Sequence, residues 1–288
     1  MNSEIKRFRK IKAETKKEAE EFKNNFFSKK IRILGISGSA RDKFDLSAED
    51  STSEFLLKKA LEKCKKLGAE TELVQLRKYS IKPCKACYST ANSHCHFYCS
   101  CYPKGTEAGD DMSNKLYDKV LWADAIFFAT PVNNFKISSM MALFIDRCIS
   151  LDGSLKPADP GYAKNVALNK RHTTFVEKTA SDEFGSGFLK RFTGKVAGII
   201  VSGHEEGAAL ATSQMFMTLT HYGMVFPPYS SMYAMGSVCF GTYADKKKLT
   251  AGCFAEEAVL VAENVFTMAK ALKKAGNNFW WKYDGRID

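Results

Sequence analysis

The chain has 288 residues, 45% of them apolar, so it can form one large domain or two small ones with a substantial core. Its net charge of +11 comes from 43 Lys and Arg against 32 Asp and Glu. Because Lys alternates with Glu in helix-like segments such as Lys58–Lys66, this charge favours binding of anionic phosphates and acidic proteins over nucleic acid. No apolar run could span a bilayer and the N-terminus has no apolar segment, so we predict a cytoplasmic protein without a membrane anchor.

The first two predicted elements lie before residue 42. Residues 1–30 are dense in Lys, Arg and Glu and predict a basic helical extension, with a partly disordered arm as the alternative. Residues 31–41, IRILGISGSAR, are typical of a buried strand followed by an anion-binding turn. Ser37, Ser39 and Arg41 are the candidate donors, and a tight connection without a ligand is the alternative.

A polar segment then leads to Ser51, Thr52 and Ser53, which precede an apolar-periodic run that predicts a helix ending at Gly68. These hydroxyl groups can cap the helix or hold an anion at its N-terminus. The alternating residues Glu70–Leu76 predict the second strand.

Residues 80–109 lack a periodic pattern and contain five of the nine cysteines: Cys84, Cys87, Cys95, Cys99 and Cys101. A Cys-x-x-Cys step brings two thiolates to one metal centre, so this loop favours an iron–sulfur cluster or zinc, with no metal as a further alternative. His94 and His96 could join a zinc site or lie at the surface. We expect Cys148, Cys239 and Cys253 to be core thiols.

The second half of the chain continues the alternation of strands and helices. Before the insertion, the predicted elements are a helix from Asp110 to Trp122, a strand at Ala125–Ala129, a loop at Thr130–Phe135 and a helix from Ser139. Residues 152–194 are predicted to be an insertion with a possible short strand at His172–Lys178. After it, the predicted elements are a strand at Lys195–Ser202, a loop to Gly207, a helix at Ala208–Tyr222, a last strand at Met224–Pro227, a helix at Leu249–Lys274 and an aromatic tail at 276–288.

Apolar strands that alternate with amphipathic helices predict an α/β fold, a doubly wound five-stranded parallel sheet with helices on both faces and a cysteine-rich loop insertion. In such sheets, ligands bind beyond the carboxyl ends of the strands. The loops after Ile36, Ala129 and Val201 all fall on that edge. We therefore expect these three loops to surround one ligand.

Several motifs together resemble the flavodoxin-like NAD(P)H-dependent FMN reductases, and within them the iron–sulfur flavoproteins. They are GISGSAR with STSEFLL, IKPCKAC, the DDM helix start, ADAIFFATPVNNFKISSMMALFIDR and GKVAGIIVSGHEEGA. These motifs cover most of residues 31–230. The chain departs from the family pattern by extra residues between Arg41 and Ser51, by Asn134 where an aromatic residue is often found, and by Thr90 at the usual third cysteine position.

The resemblance implies roles for specific residues. Ser37, Ser39, Arg41, Ser51, Thr52 and Ser53 would hold the FMN phosphate. Thr130, Pro131, Val132, Asn133, Asn134 and Phe135 would line the isoalloxazine ring, and Ser202, Gly203, His204, Glu205, Glu206 and Gly207 would contact its polar edge. The five cysteines of residues 80–109 would bind a 4Fe–4S cluster, with zinc as the competing metal.

The resulting hypothesis is an FMN-dependent oxidoreductase that passes electrons from NAD(P)H or reduced ferredoxin to an acceptor, without a catalytic side chain that we can name. The alternatives are a non-catalytic flavodoxin-like electron carrier and a zinc-stapled binding module with a degenerate flavin site. We also expect a homo-oligomer, a dimer or tetramer, because the aromatic tail needs a partner surface.

Overall fold

The structure is a computed structural model, and it describes residues 3–26, 30–42, 51–87, 95–106, 110–159, 165–179, 189–203, 207–234 and 253–275. Within these ranges the helices are α1 (Ser3–Phe26), α2 (Thr52–Lys66), α3 (Tyr117–Trp122, preceded by a π-helical turn at Met112–Leu116), α4 (Ser139–Cys148), α5 (Val166–Thr179), α6 (Ala208–His221) and α7 (Cys253–Ala275). The strands are β1 (Arg32–Ser37), β2 (Glu70–Gln75), β3 (Ala125–Asn133), β4 (Lys136–Ile137), β5 (Asp152–Ser154), β6 (Leu189–Lys190), β7 (Val196–Ser202) and β8 (Ser231–Ala234).

The main sheet has the order β2-β1-β3-β7-β8, and all its neighbouring strands are parallel. The short strand β4 pairs antiparallel with the end of β3 and brings the sheet to six strands. The prediction of a doubly wound parallel sheet is confirmed. The five parallel strands match the predicted number, and the two-residue strand β4 is an addition that the sequence analysis missed.

Side chains of successive strand residues point to opposite faces and fill two separate cores. Leu34, Ile36 and Phe128 pack on the face covered by α3, α4 and α6. Ile33 and Phe127 pack on the other face, against α2 and α7. Because both faces are buried, the central strands β1, β3 and β7 are almost entirely apolar, which is the pattern that made them visible in the sequence.

The last parallel strand is β8, and the prediction of this strand at Met224–Pro227 is wrong. In the structure Val225 makes only an isolated bridge with Val196. Pro227 and Pro228 lack the amide hydrogen that a central ladder requires, and so the chain turns before pairing begins at Ser231.

The possible strand at His172–Lys178 is also corrected, because these residues belong to helix α5. Leu168, His172 and Val176 recur every four residues and are buried, which is a helical pattern. The β-branched residues Thr173 and Thr174 obscured it in the sequence analysis.

Helix α1 lies in the segment predicted as a helical extension, and it packs on α5. Phe8, Ile11, Ala158 and Leu168 form a small apolar cluster, and the Phe8 ring lies 4.9 Å from the ring of His172. The division of the chain into a helical extension and a main domain stays a prediction, as does the assignment of residues 152–194 as an insertion. The aromatic tail lies outside the described residues.

None of the helices in the described ranges is long and apolar enough to cross a bilayer.

Candidate functional site

The turn after β1 is tied to the neighbouring strand. The Gly38 amide donates to the Ala129 carbonyl at 2.7 Å, and the Ser138 hydroxyl donates to the Gly38 carbonyl at 2.6 Å. Ser39 is 2% exposed, and its Oγ accepts a hydrogen bond from the Arg41 amide at 3.2 Å. These bonds hold the polar turn at the carboxyl edge of the sheet.

Ser37, the last residue of β1, donates its hydroxyl hydrogen to Glu54 at 2.8 Å, and both side chains are fully buried. Glu54 also accepts hydrogen bonds from Gln75, the last residue of β2, and from Arg77, two residues further on. Lys58 Nζ lies 3.3 Å from the same carboxylate. Burial opposes ionisation, but the bonds from Arg77, Ser37 and Gln75 outweigh it and lower the pKa of Glu54 to about 2. The Ser37 hydroxyl therefore joins β1 to α2 through a carboxylate that the sequence analysis did not identify.

The N-terminus of α2 carries buried hydroxyl groups. Ser51 is the N-cap, and its Oγ accepts a hydrogen bond from the Glu54 amide at 3.3 Å, which confirms the capping prediction. The Ser51 and Ser53 hydroxyls lie 3.3 Å apart, and Thr52 is buried beside them. Because Ser37 contacts Glu54 in the first turn of this helix, the turn after β1 and the α2 N-terminus are adjacent.

The predicted loop at Thr130–Phe135 is a β-hairpin that projects from the carboxyl end of β3. Thr130 is fully buried, and its Oγ1 accepts a hydrogen bond from the Ser138 amide at 3.0 Å, which closes the base of the hairpin. Asn134 and Phe135 form its tip with φ of +51° and +62°, as a two-residue type I′ turn requires. Phe135 is 56% exposed, so a bulky aromatic residue adopts a left-handed conformation at a largely solvent-exposed position.

The loop after β7 lies directly against this hairpin. A Cβ atom on Gly203 would come within 2.9 Å of Val132 Cβ, and one on Gly207 would come within 2.5 Å of Phe135 Cα. Only glycine permits such a close approach of two loops. His204, Glu205 and Glu206 lie outside the described residues, so the structure describes this loop only at its two ends.

The β3–β4 hairpin lies between the other two predicted loops at one edge of the sheet. The turn after β1 is bonded to Ala129 and Ser138 at its base, and the two ends of the loop after β7 lie against Val132 and Phe135. One part of this edge offers the buried hydroxyls of Ser39, Ser51 and Ser53 next to Arg41, a donor set suited to a phosphate. The adjacent part offers Pro131, Val132 and two glycines, a small apolar wall suited to a flat ring. The described residues therefore fit FMN by the chemistry of both parts.

The five predicted metal-ligating cysteines lie together. The thiol of Cys101 hydrogen-bonds with those of Cys87 and Cys99, and Cys95 interacts electrostatically with Cys84 and Cys99. The hydrogen bond with Cys87 raises the pKa of Cys101 to about 11, and burial raises the pKa of Cys95. All five are free thiols, so the loop contains no disulfide among these residues.

Within the described ranges, no three His, Cys, Asp or Glu side chains are placed to hold a single metal ion. This finding removes the support for zinc. In a four-iron cluster each thiolate binds a different iron atom, so the four sulfur atoms lie further apart than the ligands of a single zinc ion.

The Cys-x-x-Cys turn has features that suit a thiolate ligand. The Ala86 amide donates to Cys84 Sγ at 3.4 Å, and Ala86 itself has φ of +47°. Hydrogen bonds to sulfur stabilise thiolate ligands and influence cluster potentials. The residues present therefore fit an iron–sulfur cluster by their donor set. His96, considered as a surface residue or a zinc ligand, is fully buried and hydrogen-bonds Ser100 at 3.1 Å.

The other cysteines lie apart from this group. Cys148 is buried, as expected, whereas Cys253 is exposed at the first turn of α7, so its prediction as a core thiol is wrong. Cys239 lies outside the described residues.

Two buried residues near the site, Glu54 and Arg147, were missed by the sequence analysis. Arg147 makes two hydrogen bonds with Asp110, at 2.7 and 2.8 Å, and its guanidinium lies 4.6 Å from the ring centre of Tyr102. A signal for each was present in the sequence. Ser51-x-x-Glu54 is a capping-box pattern, and Arg147 is the one basic residue in a mainly apolar helix.

Two solved structures share the fold. RosB with a bound 8-demethyl-8-formylriboflavin-5'-phosphate intermediate has a TM-score of 0.59 and 18% identity, covering 85% of this chain and 81% of that chain. A flavone reductase has a TM-score of 0.51 and 18% identity, covering 85% of this chain and 65% of that chain. At these identities the likeness concerns the fold alone.

Two curated proteins are more similar to this chain in sequence than these structures are. An iron–sulfur flavoprotein of Archaeoglobus fulgidus is 34% identical over 119 residues, which are 41% of this chain and 51% of that protein. An iron–sulfur flavoprotein of Methanosarcina thermophila is 29% identical over 121 residues, which are 42% of this chain and 54% of that protein. The chain therefore spans about half the length of these curated relatives.

The family described as NADPH-dependent FMN reductase matches residues 31–171, a range that holds β1, the α2 N-terminus, the five clustered cysteines and the β3–β4 hairpin. Through this region the chain is similar to the NADPH-dependent FMN reductase family and, within it, to the iron–sulfur flavoproteins.

Proposed function

We propose that the protein is an FMN-dependent oxidoreductase that passes electrons from NAD(P)H or reduced ferredoxin to an acceptor, with a 4Fe–4S cluster bound by its clustered cysteines. The observation that carries this proposal is the meeting of three loops at the carboxyl edge of the sheet. Parallel α/β sheets bind their ligands at that edge.

In this proposal the FMN phosphate binds between the turn after β1 and the N-terminus of α2. Ser39, Arg41, Ser51, Thr52 and Ser53 supply donors there, and the positive end of the α2 dipole favours a dianion. Since the Ser37 hydroxyl donates to Glu54, its part is to hold the turn in place. The flavin phosphate bound to RosB, a protein of the same fold, supports a phosphorylated flavin as the ligand class.

The isoalloxazine ring is assigned to the hairpin Thr130–Phe135 and to the loop from Ser202 to Gly207. A side chain at position 207 would collide with Phe135, so the hairpin and the end of this loop lie in direct contact. Bound FMN would supply hydride and single-electron chemistry. The chain's own part is to bind and orient the cofactor and to exclude water from its buried side.

The cysteine loop is assigned to the cluster because its five thiols interact and because the curated relatives are named iron–sulfur flavoproteins. A bound cluster would exchange single electrons with the flavin. The free thiols also support a reducing compartment such as the cytoplasm. A dimer or tetramer remains part of the proposal.

The test is anaerobic reduction of the purified protein, in which the absorbance of the flavin is monitored near the visible maximum of FMN. We expect yellow protein that contains iron and sulfide and that bleaches within seconds on addition of NADPH or reduced ferredoxin. Colourless protein whose melting temperature FMN does not change would contradict the proposal. Flavin that only dithionite reduces would instead identify a non-catalytic electron carrier.

A further inference from the structure

The segment Cys95–Tyr102 carries three of the clustered cysteines and lies between two buried guanidinium groups. On one side, Arg191 is fully buried and its guanidinium carbon lies 4.0 Å from the ring centre of Phe97. On the other side, Arg147 lies over the ring of Tyr102 and interacts electrostatically with Cys99. Arg147 thus packs on an aromatic residue next to Cys101, and Arg191 packs on one that lies two residues from both Cys95 and Cys99.

The two arginines differ in how their charge is balanced. Arg147 and its partner Asp110 are 1% and 2% exposed, so two equally buried charges lie side by side and largely cancel. Arg191 is 0% exposed, whereas its partner Glu18 is 23% exposed. The carboxylate that pairs with Arg191 is therefore the more solvated of the two partners, and water screens its charge more strongly than that of Asp110.

Glu18 belongs to α1, outside the region that matches the family. Its carboxylate lies 2.9 Å from Arg191 and 3.4 Å from Lys156. The backbone next to Lys156 also holds the cysteine segment, because the Phe97 amide donates to the Leu155 carbonyl at 2.8 Å. Helix α1 therefore contacts the cysteine segment through Arg191 and the Leu155–Lys156 backbone.

We propose that Arg191 is a positioning residue for the redox group held by the cysteines, and that α1 sets the charge next to that group through Glu18. This inference rests on the proposed function, since it requires an iron–sulfur cluster. A cluster ligated by four thiolates is an anion that gains a further negative charge on reduction. A buried cation nearby stabilises the reduced form, and a carboxylate that neutralises the cation opposes it.

The two members of one ion pair should therefore shift the cluster's reduction potential in opposite directions. Glu18→Gln removes the negative partner and should favour reduction about threefold in the electron-transfer equilibrium. Arg191→Gln removes the cation and should disfavour reduction about tenfold, whereas Arg191→Lys should restore most of the loss. A tenfold change in a one-electron equilibrium corresponds to about 59 mV.

The measurement is a redox titration of the full-length holoprotein, monitored by electron paramagnetic resonance, with iron content determined on the same samples. Glu14→Gln is the matched control, because Glu14 lies one turn before Glu18 on α1, its side chain is exposed and the chemical change is the same. Shifts of opposite sign for Glu18→Gln and Arg191→Gln, with Glu14→Gln unchanged, would support the inference. If the two substitutions only loosened the cysteine segment, both should shift the reduction potential in the same direction.

Unchanged potentials in a wild-type-like, iron-loaded Glu18→Gln protein would overturn the inference while leaving the proposed cluster intact. A Glu18→Gln protein that loses iron or shifts downward would overturn it as well, since a structural role then explains the contact. Wild-type protein without iron would overturn both the inference and the cluster assignment. If Arg191→Gln does not fold, the reduction potential of the Glu18→Gln protein still tests the inference.

Discussion

The Ser37 hydroxyl donates a 2.8 Å hydrogen bond to the Glu54 carboxylate, and neither side chain is exposed to solvent. Through this bond the end of β1 is fixed to the first turn of α2. Arg77 connects the same carboxylate to the end of β2. Three elements that surround the proposed phosphate site thus depend on one buried anion.

Replacement of Glu54 by Gln should lower the free energy of unfolding by about 3 kcal/mol, because it leaves the Arg77 guanidinium without its charged partner. Urea denaturation at neutral pH measures the change. Glu62→Gln is the matched control, since Glu62 lies on the same helix but is 59% exposed, and it should change the unfolding free energy by less than about 0.5 kcal/mol. Equal effects of the two substitutions would contradict the role of Glu54.

The lowered pKa of Glu54 also predicts how this contribution depends on pH. Because the folded-state pKa of about 2 lies below the ordinary value of 4.5, the stabilisation is complete above pH 4.5 and is lost as the pH falls through 2. The difference in stability between wild type and Glu54→Gln should therefore shrink as the pH falls from 4.5 towards 2. A difference that stays constant over this range would show that Glu54 does not titrate as described.

Arg41 is expected to contribute to phosphate binding without supporting the fold, since its side chain is exposed. Arg41→Met should weaken FMN binding about tenfold and leave riboflavin binding unchanged, because a hydrogen bond to a charged group is worth about 1.5–3 kcal/mol. Fluorescence titration with each flavin measures both affinities. Lys66→Met, an exposed change at the far end of α2, is the control and should affect neither ligand. A parallel loss of both ligands would place Arg41 away from the phosphate.

Phe135 adopts a left-handed conformation that favours Asn or Gly over an aromatic residue. Phe135→Asn should therefore raise the unfolding free energy of the flavin-free protein by about 1 kcal/mol while it weakens FMN binding, because the ring contact is lost. Tyr229 is the matched control: it is 76% exposed, has φ of +49° and precedes β8 at the end opposite to the candidate site. Tyr229→Asn should give the stability gain without a change in FMN affinity, and an equal effect on affinity would refute the role of Phe135.

His172 predicts an acid-sensitive contact between α1 and α5. Burial, assisted by the charge of Arg7, lowers the pKa of His172 from 6.5 to about 4. The unfolded chain therefore binds the proton first as the pH falls, and stability should decrease by about 3 kcal/mol between pH 6.5 and pH 4. His172→Phe should remove this part of the pH dependence, measured by thermal unfolding across the range. Identical pH profiles for the variant and the wild type would contradict the assignment.

Much of the fold could be predicted because its signals are local. The apolar run that ends at Ser37, the capping serine at Ser51 and the strand before Thr130 are each recognisable within about ten residues. Local signals failed where two nearby segments were both candidates for the same strand. Met224–Pro227 is more apolar than Ser231–Ala234, yet its pairing stops at the Val225 bridge because Pro227 and Pro228 lack the amide hydrogens that would continue it.

The candidate site was predictable at the level of loops but less so at the level of individual side chains. Parallel topology places the loops after β1, β3 and β7 at one edge, so their meeting followed from the order of the elements. The Ser37–Glu54 bond and the Glu18–Arg191 ion pair join residues from separate elements, the second across 173 positions of the chain. Such pairings depend on how elements pack and leave no periodic trace in the sequence.

The central claim is that the loops at the carboxyl edge of the sheet bind one flavin through its phosphate. Calorimetric titration of flavin-free protein with FMN and with riboflavin tests it most directly. The account predicts one FMN per chain, bound at least a hundredfold more tightly than riboflavin, because several donors address the phosphate. Equal affinity for the two flavins, or no binding of either, would contradict it.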